Sequence, residues 1–137
     1  VHAVAMPGSA PTADTVVISL QFRNGSIGSI CYFANGPKRM PKEQLEVFKD
    51  GQCAVLSDYK ELVVHGGSSP RRKKLFSQDK GQAEMVRQFL DAVRTGGPSP
   101  ISFAELDVVT EATFKTLQSL HDAASAAVGR GPDHVPV

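Results

Sequence analysis

The hydrophobic pattern of this 137-residue chain changes once, near residue 78, and that change limits the fold more than any other feature. Before it, short runs of apolar residues are separated by turn residues such as Asn24-Gly25 and Asp50-Gly51. This pattern is typical of β-hairpins with type I′ turns. After it, apolar residues recur every three or four positions, as in amphipathic helices. Strands followed by helices predict an α+β fold. We expect a mainly antiparallel open sheet of about six strands, with two helices packed on one of its faces.

The six predicted strands cover residues 15–22, 26–33, 44–48, 53–56, 59–65 and 73–77. A first helix is predicted over residues 81–95, ending at Gly96-Gly97-Pro98, with an apolar stripe of Val86, Phe89, Leu90 and Val93. A second helix begins with a capping box between Ser102 and Glu105. Its predicted core-facing stripe consists of Leu106, Val109, Thr113, Leu117 and Leu120.

The length is that of one domain with its own core. We place this domain at residues 14–124, between a flexible lead-in or short strand at 1–13 and a frayed tail at 125–137 that is rich in Gly and Pro. The chain begins with Val1 rather than methionine, which suggests a processed chain or an excised piece of a longer one.

Charge and apolar patterning narrow the function classes. Fifteen basic and fourteen acidic residues give a net charge of +1, which argues against a dedicated nucleic-acid or membrane-surface protein. The basic run at residues 71–74 could be a phosphate-backbone patch, but solvated charge on an edge strand explains it more simply. No apolar run is long enough to span a bilayer, and the start does not resemble a signal peptide. With Cys31 and Cys53 interpreted as free thiols, we expect a cytoplasmic protein; a disulfide would need their Cα atoms about 4.4–6.8 Å apart.

No complete catalytic or cofactor motif is present: the chain contains no GxGxxG, Walker, HExxH or GxSxG sequence. We therefore assign no catalytic, cofactor-binding or metal-binding residue. Three residues remain as candidates for lining a substrate pocket. Lys38 and Arg39 lie in a loop bracketed by prolines, and His65 ends a predicted strand before Gly66-Gly67. The alternative for all three is a solvated surface position.

The order of motifs along the chain resembles one known family. A hairpin with an Asn-Gly turn is followed by L-E-V-F-x-D-G, by A-V-L-x-D, by a basic strand and by a helix. The segment GGPSPISFAELDVVTEATFKTLQSL then completes the pattern. This order, over residues 14–120, resembles the C-terminal domain of the Gfo/Idh/MocA oxidoreductases.

The resemblance implies an NAD(P)-dependent dehydrogenase acting on a sugar or polyol. The family's Rossmann domain, with its glycine fingerprint and its catalytic lysine, has no counterpart in this sequence. What remains corresponds to the part that forms the wall of the substrate pocket and pairs subunits. We therefore expect an inactive domain that forms a homodimer through its open sheet face, with NAD or NADP bound elsewhere in a parent enzyme. The alternative is a stand-alone ligand-binding or protein-binding α+β module without catalysis.

Overall fold

A computed structural model describes residues 1–6 and 14–128, and the side chains of these residues as far as Ala123. One antiparallel sheet has the order β1-β2-β3 and a second has the order β4-β5-β6-β7. The strands are β1 (His2–Ala5), β2 (Thr15–Gln21), β3 (Ile27–Phe33), β4 (Gln44–Lys49), β5 (Gln52–Ser57), β6 (Glu61–His65) and β7 (Arg71–Lys74). The helices are α1 (Gln82–Thr95) and α2 (Phe103–Val128).

The structure confirms the α+β class and the antiparallel pairing, but the described residues form two sheets with seven strands instead of one sheet with about six. The chain also divides into two compact units. The first unit contains β1–β3 and α2, and the second spans residues 37–100. The connection from β3 to β4 contains Pro37 and Pro41, and such a long, proline-containing segment cannot form the tight turn that would pair these strands.

The hairpin turns at Asn24-Gly25 and Asp50-Gly51 lie where the sequence predicts them, but they differ in type. Asp50 and Gly51 both have positive φ, 49° and 72°, as a type I′ turn requires. At the other turn only Gly25 has positive φ, 84°. There the Phe22 amide donates to the Ser26 carbonyl at 2.9 Å, and the Gly25 amide donates to the Phe22 carbonyl at 3.0 Å. This is a three-residue loop with a glycine bulge, not a type I′ turn.

The last strand lies earlier in the sequence than predicted. β7 is Arg71–Lys74, not residues 73–77. Its register on β6 places Arg71 opposite Val64 and Lys74 opposite Glu61, so the ladder ends where β6 begins. Phe76 is then fully exposed. The basic run is therefore the edge strand itself.

The helix ends confirm the capping signals. α1 ends at Gly96, which has a φ of 65°. Before α2, the Ser102 amide donates to Glu105 Oε2 at 2.8 Å, and the Glu105 amide donates to Ser102 Oγ at 3.2 Å. These are the two reciprocal bonds of a capping box. Residues 125–128, predicted as part of the tail, belong to α2, which continues to Val128; residues 129–137 lie outside the described residues.

The small core of the first unit forms where α2 packs on β1. Ala3 has 0% exposure, Val16 has 7% and Thr15 has 8%. The Ala3 amide donates to Ser119 Oγ at 2.9 Å. The half-buried positions of α2 are Ala112, Thr116, Ser119 and Leu120, small side chains apart from Leu120, which allow the helix to approach the strand closely.

The predicted apolar stripes of both helices are mostly exposed. Of the stripe predicted for α2, only Leu120 is half-buried; Leu106, Val109, Thr113 and Leu117 are exposed. The predicted stripe of α1 lies on one side of that helix but is also exposed, and α1 forms no extensive contact with a strand among the described residues. The expectation of two helices packed on one sheet face is therefore wrong for α1. The thiols of Cys31 and Cys53 are free, and they lie in different sheets.

Candidate functional site

The four-stranded sheet has two faces of different chemistry. Directly opposite residues in an antiparallel sheet project to the same side, so the register assigns each residue to a face. The first, which we call the aliphatic face, consists of Leu45, Val47, Ala54, Leu56, Leu62 and Val64. At β7 it continues into Arg71 and Lys73. No residue between 37 and 100 is buried, so the chain's second unit leaves this face open.

The opposite side, which we call the mixed face, combines apolar and charged residues. One row across the four strands consists of Glu46, Val55, Val63 and Arg72. This row has an acid at one edge of the sheet, a base at the other edge and two valines between them. Arg72 also forms an ion pair with Glu61 on the same face, with 3.0 Å between Nε and Oε1.

A polar concavity of about 430 Å³ lies at the end of the sheet where β4 begins and β5 ends. We call it the basic cleft. Its lining consists of Arg39, Met40, Pro41, Lys42, Glu43, Asp58, Gln78 and Lys80. Three basic side chains therefore accompany two carboxylates and one amide. The volume lies within the range typical of small-molecule sites.

The two carboxylates of the basic cleft are already engaged. The Lys80 ammonium donates a hydrogen bond to Glu43, and this bond lowers the pKa of Glu43 and raises the pKa of Lys80. Gln78 Nε2 donates to Asp58 Oδ1 at 2.9 Å. By contrast, Arg39 forms no hydrogen bond or ion pair among the described residues. The cleft therefore keeps positive charge that its own acids do not neutralise.

The wall of the basic cleft includes a strained turn between β5 and β6. Asp58 and Tyr59 have φ values of 50° and 48°, a left-handed conformation that costs non-glycine residues about 1 kcal/mol or more each. The Asp58 amide donates to the Glu43 carbonyl at 2.6 Å, and the Asp79 amide donates to the Tyr59 carbonyl at 3.0 Å. The Lys80 ammonium lies 5.7 Å from the centre of the Tyr59 ring. This turn therefore joins the loop before β4 to the segment before α1.

The structure does not bring the three candidate residues into one pocket. Arg39 lines the basic cleft, while Lys38 is exposed beside it and is not part of its lining. His65 lies at the opposite end of the sheet, in a second concavity of about 500 Å³ with Phe48, Asp50 and Cys53. The six-residue strand β4 separates the two ends by about 17 Å. A single substrate cannot be held by both groups unless it is that long.

Sequence reasoning missed Glu43, Asp58, Gln78 and Lys80 as parts of one site. Glu43 and Lys80 are 37 positions apart, and no local pattern relates them. Glu43 and Asp58 meet through the β4–β5 ladder, where Gln44 pairs with Ser57. A correct register for the β4–β5 hairpin would have indicated this contact, because the pair Gln44–Ser57 ends the ladder and Glu43 and Asp58 are the next residues on the two strands.

The described residues contain no group of three or more His, Cys, Asp or Glu side chains placed to hold a metal ion. Within those same residues, no helix has the length and apolar character needed to cross a membrane. Comparison with models of protein families, with curated proteins and with solved structures gave no match to this chain.

Proposed function

We propose that this chain is the substrate-side and assembly domain of an NAD(P)-dependent oxidoreductase that acts on a sugar or polyol. The proposal rests on the motif order over residues 14–120, which resembles the C-terminal domain of the Gfo/Idh/MocA oxidoreductases. The chain would be inactive by itself, because the resemblance assigns the nucleotide and the catalytic lysine to a Rossmann domain that this sequence does not contain. We place the complete enzyme in the cytoplasm.

The observation that best supports an assembly role is the open four-stranded sheet. An exposed apolar surface of this kind is typical of interaction sites. In our proposal the aliphatic face is covered by the remainder of the parent enzyme, because Leu and Val side chains in a continuous block match a domain interior. The mixed face then remains for a second copy of the chain.

The charges of the mixed face favour a homodimer with one specific symmetry. A two-fold axis parallel to the strands would place β4 of each copy over β7 of the other. In that arrangement Glu46 lies over Arg72 of the second copy, and the central Val55 and Val63 meet their counterparts. An axis across the strands would instead place Glu46 over Glu46. Complementary charge selects the first arrangement.

Hydride transfer tests the oxidoreductase proposal. The natural reading frame containing this sequence is expressed whole, and absorbance of the reduced nicotinamide at 340 nm is followed with NAD⁺ or NADP⁺ and a panel of sugars and polyols. We expect turnover by the whole protein and none by residues 1–137 alone. A reading frame that encodes no glycine-rich nucleotide-binding unit and no activity would contradict the proposal. It would support the alternative of a stand-alone binding module.

A further inference from the structure

The basic cleft has more positively than negatively charged side chains in its lining, and this makes it the strongest candidate for a ligand site. Glu43 is paired with Lys80, and Asp58 accepts from Gln78. Arg39 and Lys42 also line the cleft, and neither donates a hydrogen bond to a described residue. A guanidinium and an ammonium group lining the same cleft are groups that proteins use to hold carboxylate or phosphate oxygens.

The backbone segments that carry the lining residues of the cleft are held by hydrogen bonds. The loop that carries Arg39 turns through a hydrogen bond from the Met40 amide to the Pro37 carbonyl, 3.0 Å long. Pro37 and Pro41 restrict the backbone on either side. The Asp58-Tyr59 turn, which contributes Asp58 to the lining, is fixed to Glu43 and Asp79 by backbone hydrogen bonds. The positive φ values of Asp58 and Tyr59 are those of a two-residue type I′ hairpin turn, which the Lys60 amide closes by donating to the Ser57 carbonyl at 3.0 Å.

We propose that the basic cleft binds a small hydroxylated anion, with Arg39 and Lys42 holding the anionic group. The remaining polar atoms suit the rest of such a ligand: the carboxylate oxygens of Glu43 and Asp58 and the carbonyl oxygen of Gln78 can accept hydrogen bonds from hydroxyl groups. A sugar acid and a sugar phosphate share this chemistry. The inference goes beyond the proposed function, because the site lies within residues 37–100 and needs no cofactor.

The test is a titration of the chain followed by amide chemical shifts in ¹H–¹⁵N spectra. Three probes are compared: gluconate as the carboxylate, glucose 6-phosphate as the phosphate, and sorbitol as the uncharged control. We expect saturable shifts at Arg39, Lys42 and Asp58 with at least one of the anions and none with sorbitol. Binding of only one anion identifies the group that the cleft prefers.

Three variants locate the site. Arg39→Gln and Lys42→Gln should each raise the dissociation constant about tenfold, the loss expected for one charge-assisted hydrogen bond. Lys38→Gln makes the same charge change in the same loop outside the lining, and it should change the constant less than about twofold. All three positions are exposed, so the variants should remain folded, which the dispersion of their amide signals will show.

Three results would overturn the proposal: no saturable shift with either anion, equal binding of sorbitol, or equal weakening by Lys38→Gln. The last would show that only net charge attracts the anion. None of these outcomes affects the hydride-transfer assay of the whole protein. Failure of the anion site and failure of the oxidoreductase proposal can therefore be told apart.

Discussion

The two units of this chain contain similar antiparallel sheets but differ in what covers them. In the first, α2 packs on β1 and buries Ala3, while in the second no residue between 37 and 100 is buried. Strand composition contributes to the difference, because the second sheet includes the wholly basic strand β7, but β4–β6 still present a continuous aliphatic face. The first sheet is covered because a helix with small side chains, such as Ser119, packs on it. In the second unit the strands are hydrogen-bonded to one another, but they enclose no buried core.

The largest expected effect comes from introducing a charge at Ala3. Ala3→Asp places a carboxylate in a fully buried position and should lower the free energy of unfolding by about 3 kcal/mol. Ala54→Asp is the matched control, since Ala54 is a half-buried alanine on the strand β5 of the second unit. It should cost about 1 kcal/mol. Urea unfolding followed by circular dichroism measures both, and equal losses would show that the two units do not differ in this way.

An intermediate effect should follow from reversing charge on the mixed face. Light scattering should show a dimer at concentrations of tens of micromolar, and Arg72→Glu should raise its dissociation constant at least about tenfold. The double variant Glu46→Arg with Arg72→Glu restores the complementary pairs and should restore the dimer. Lys73→Glu makes the same charge change at the next position, on the other side of the sheet, and should leave the dimer intact. A monomeric parent chain would contradict the proposed homodimer.

The smallest expected effect concerns α1, which lacks extensive packing and carries its own ion pairs instead. Two hydrogen bonds from Arg87, 2.5 and 2.9 Å long, hold the Glu84 carboxylate and, with a bond from Gln88, lower its pKa from 4.5 to about 2. Because the folded helix favours the charged form, this stabilisation is complete above pH 4.5 and is lost as the pH falls towards 2. A carbon-13 titration of the Glu84 carboxyl group measures the pKa directly. Arg87→Gln should return it towards 4.5, and a midpoint already near 4.5 in the parent chain would contradict the ion pair.

Local signals in the sequence predicted local structure well. The turn at Asp50-Gly51, the end of α1 at Gly96 and the capping box at Ser102 depend only on neighbouring residues. The division into two sheets was not predictable in this way, because it depends on which strands pair. The contact face of α2 was not predictable in this way either, because the stripe of larger apolar residues predicts the core-facing side, whereas the half-buried positions are mainly small residues.

The candidate site shows the same limit. Arg39 was identified because its proline-bracketed loop has a local signature. Its partners in the cleft were not, since Glu43 and Lys80 come together only through the pairing of β4 with β5 and the path of the chain after β7. The sequence alone could not show that the candidates Lys38, Arg39 and His65 do not share a pocket. That requires the strand register, which places Arg39 and His65 at opposite ends of the four-stranded sheet.

The Asp58-Tyr59 turn has a consequence for how this sequence can diverge. The chain already uses Asp-Gly for the turn between β4 and β5, and a glycine at position 59 would make the next turn with less strain. Such a change would also remove the ring beside Lys80. Related sequences in which selection acts only on stability should drift towards glycine at position 59. Sequences that use the cleft should keep an aromatic ring at position 59, because the Tyr59 ring lies beside Lys80, which lines the cleft.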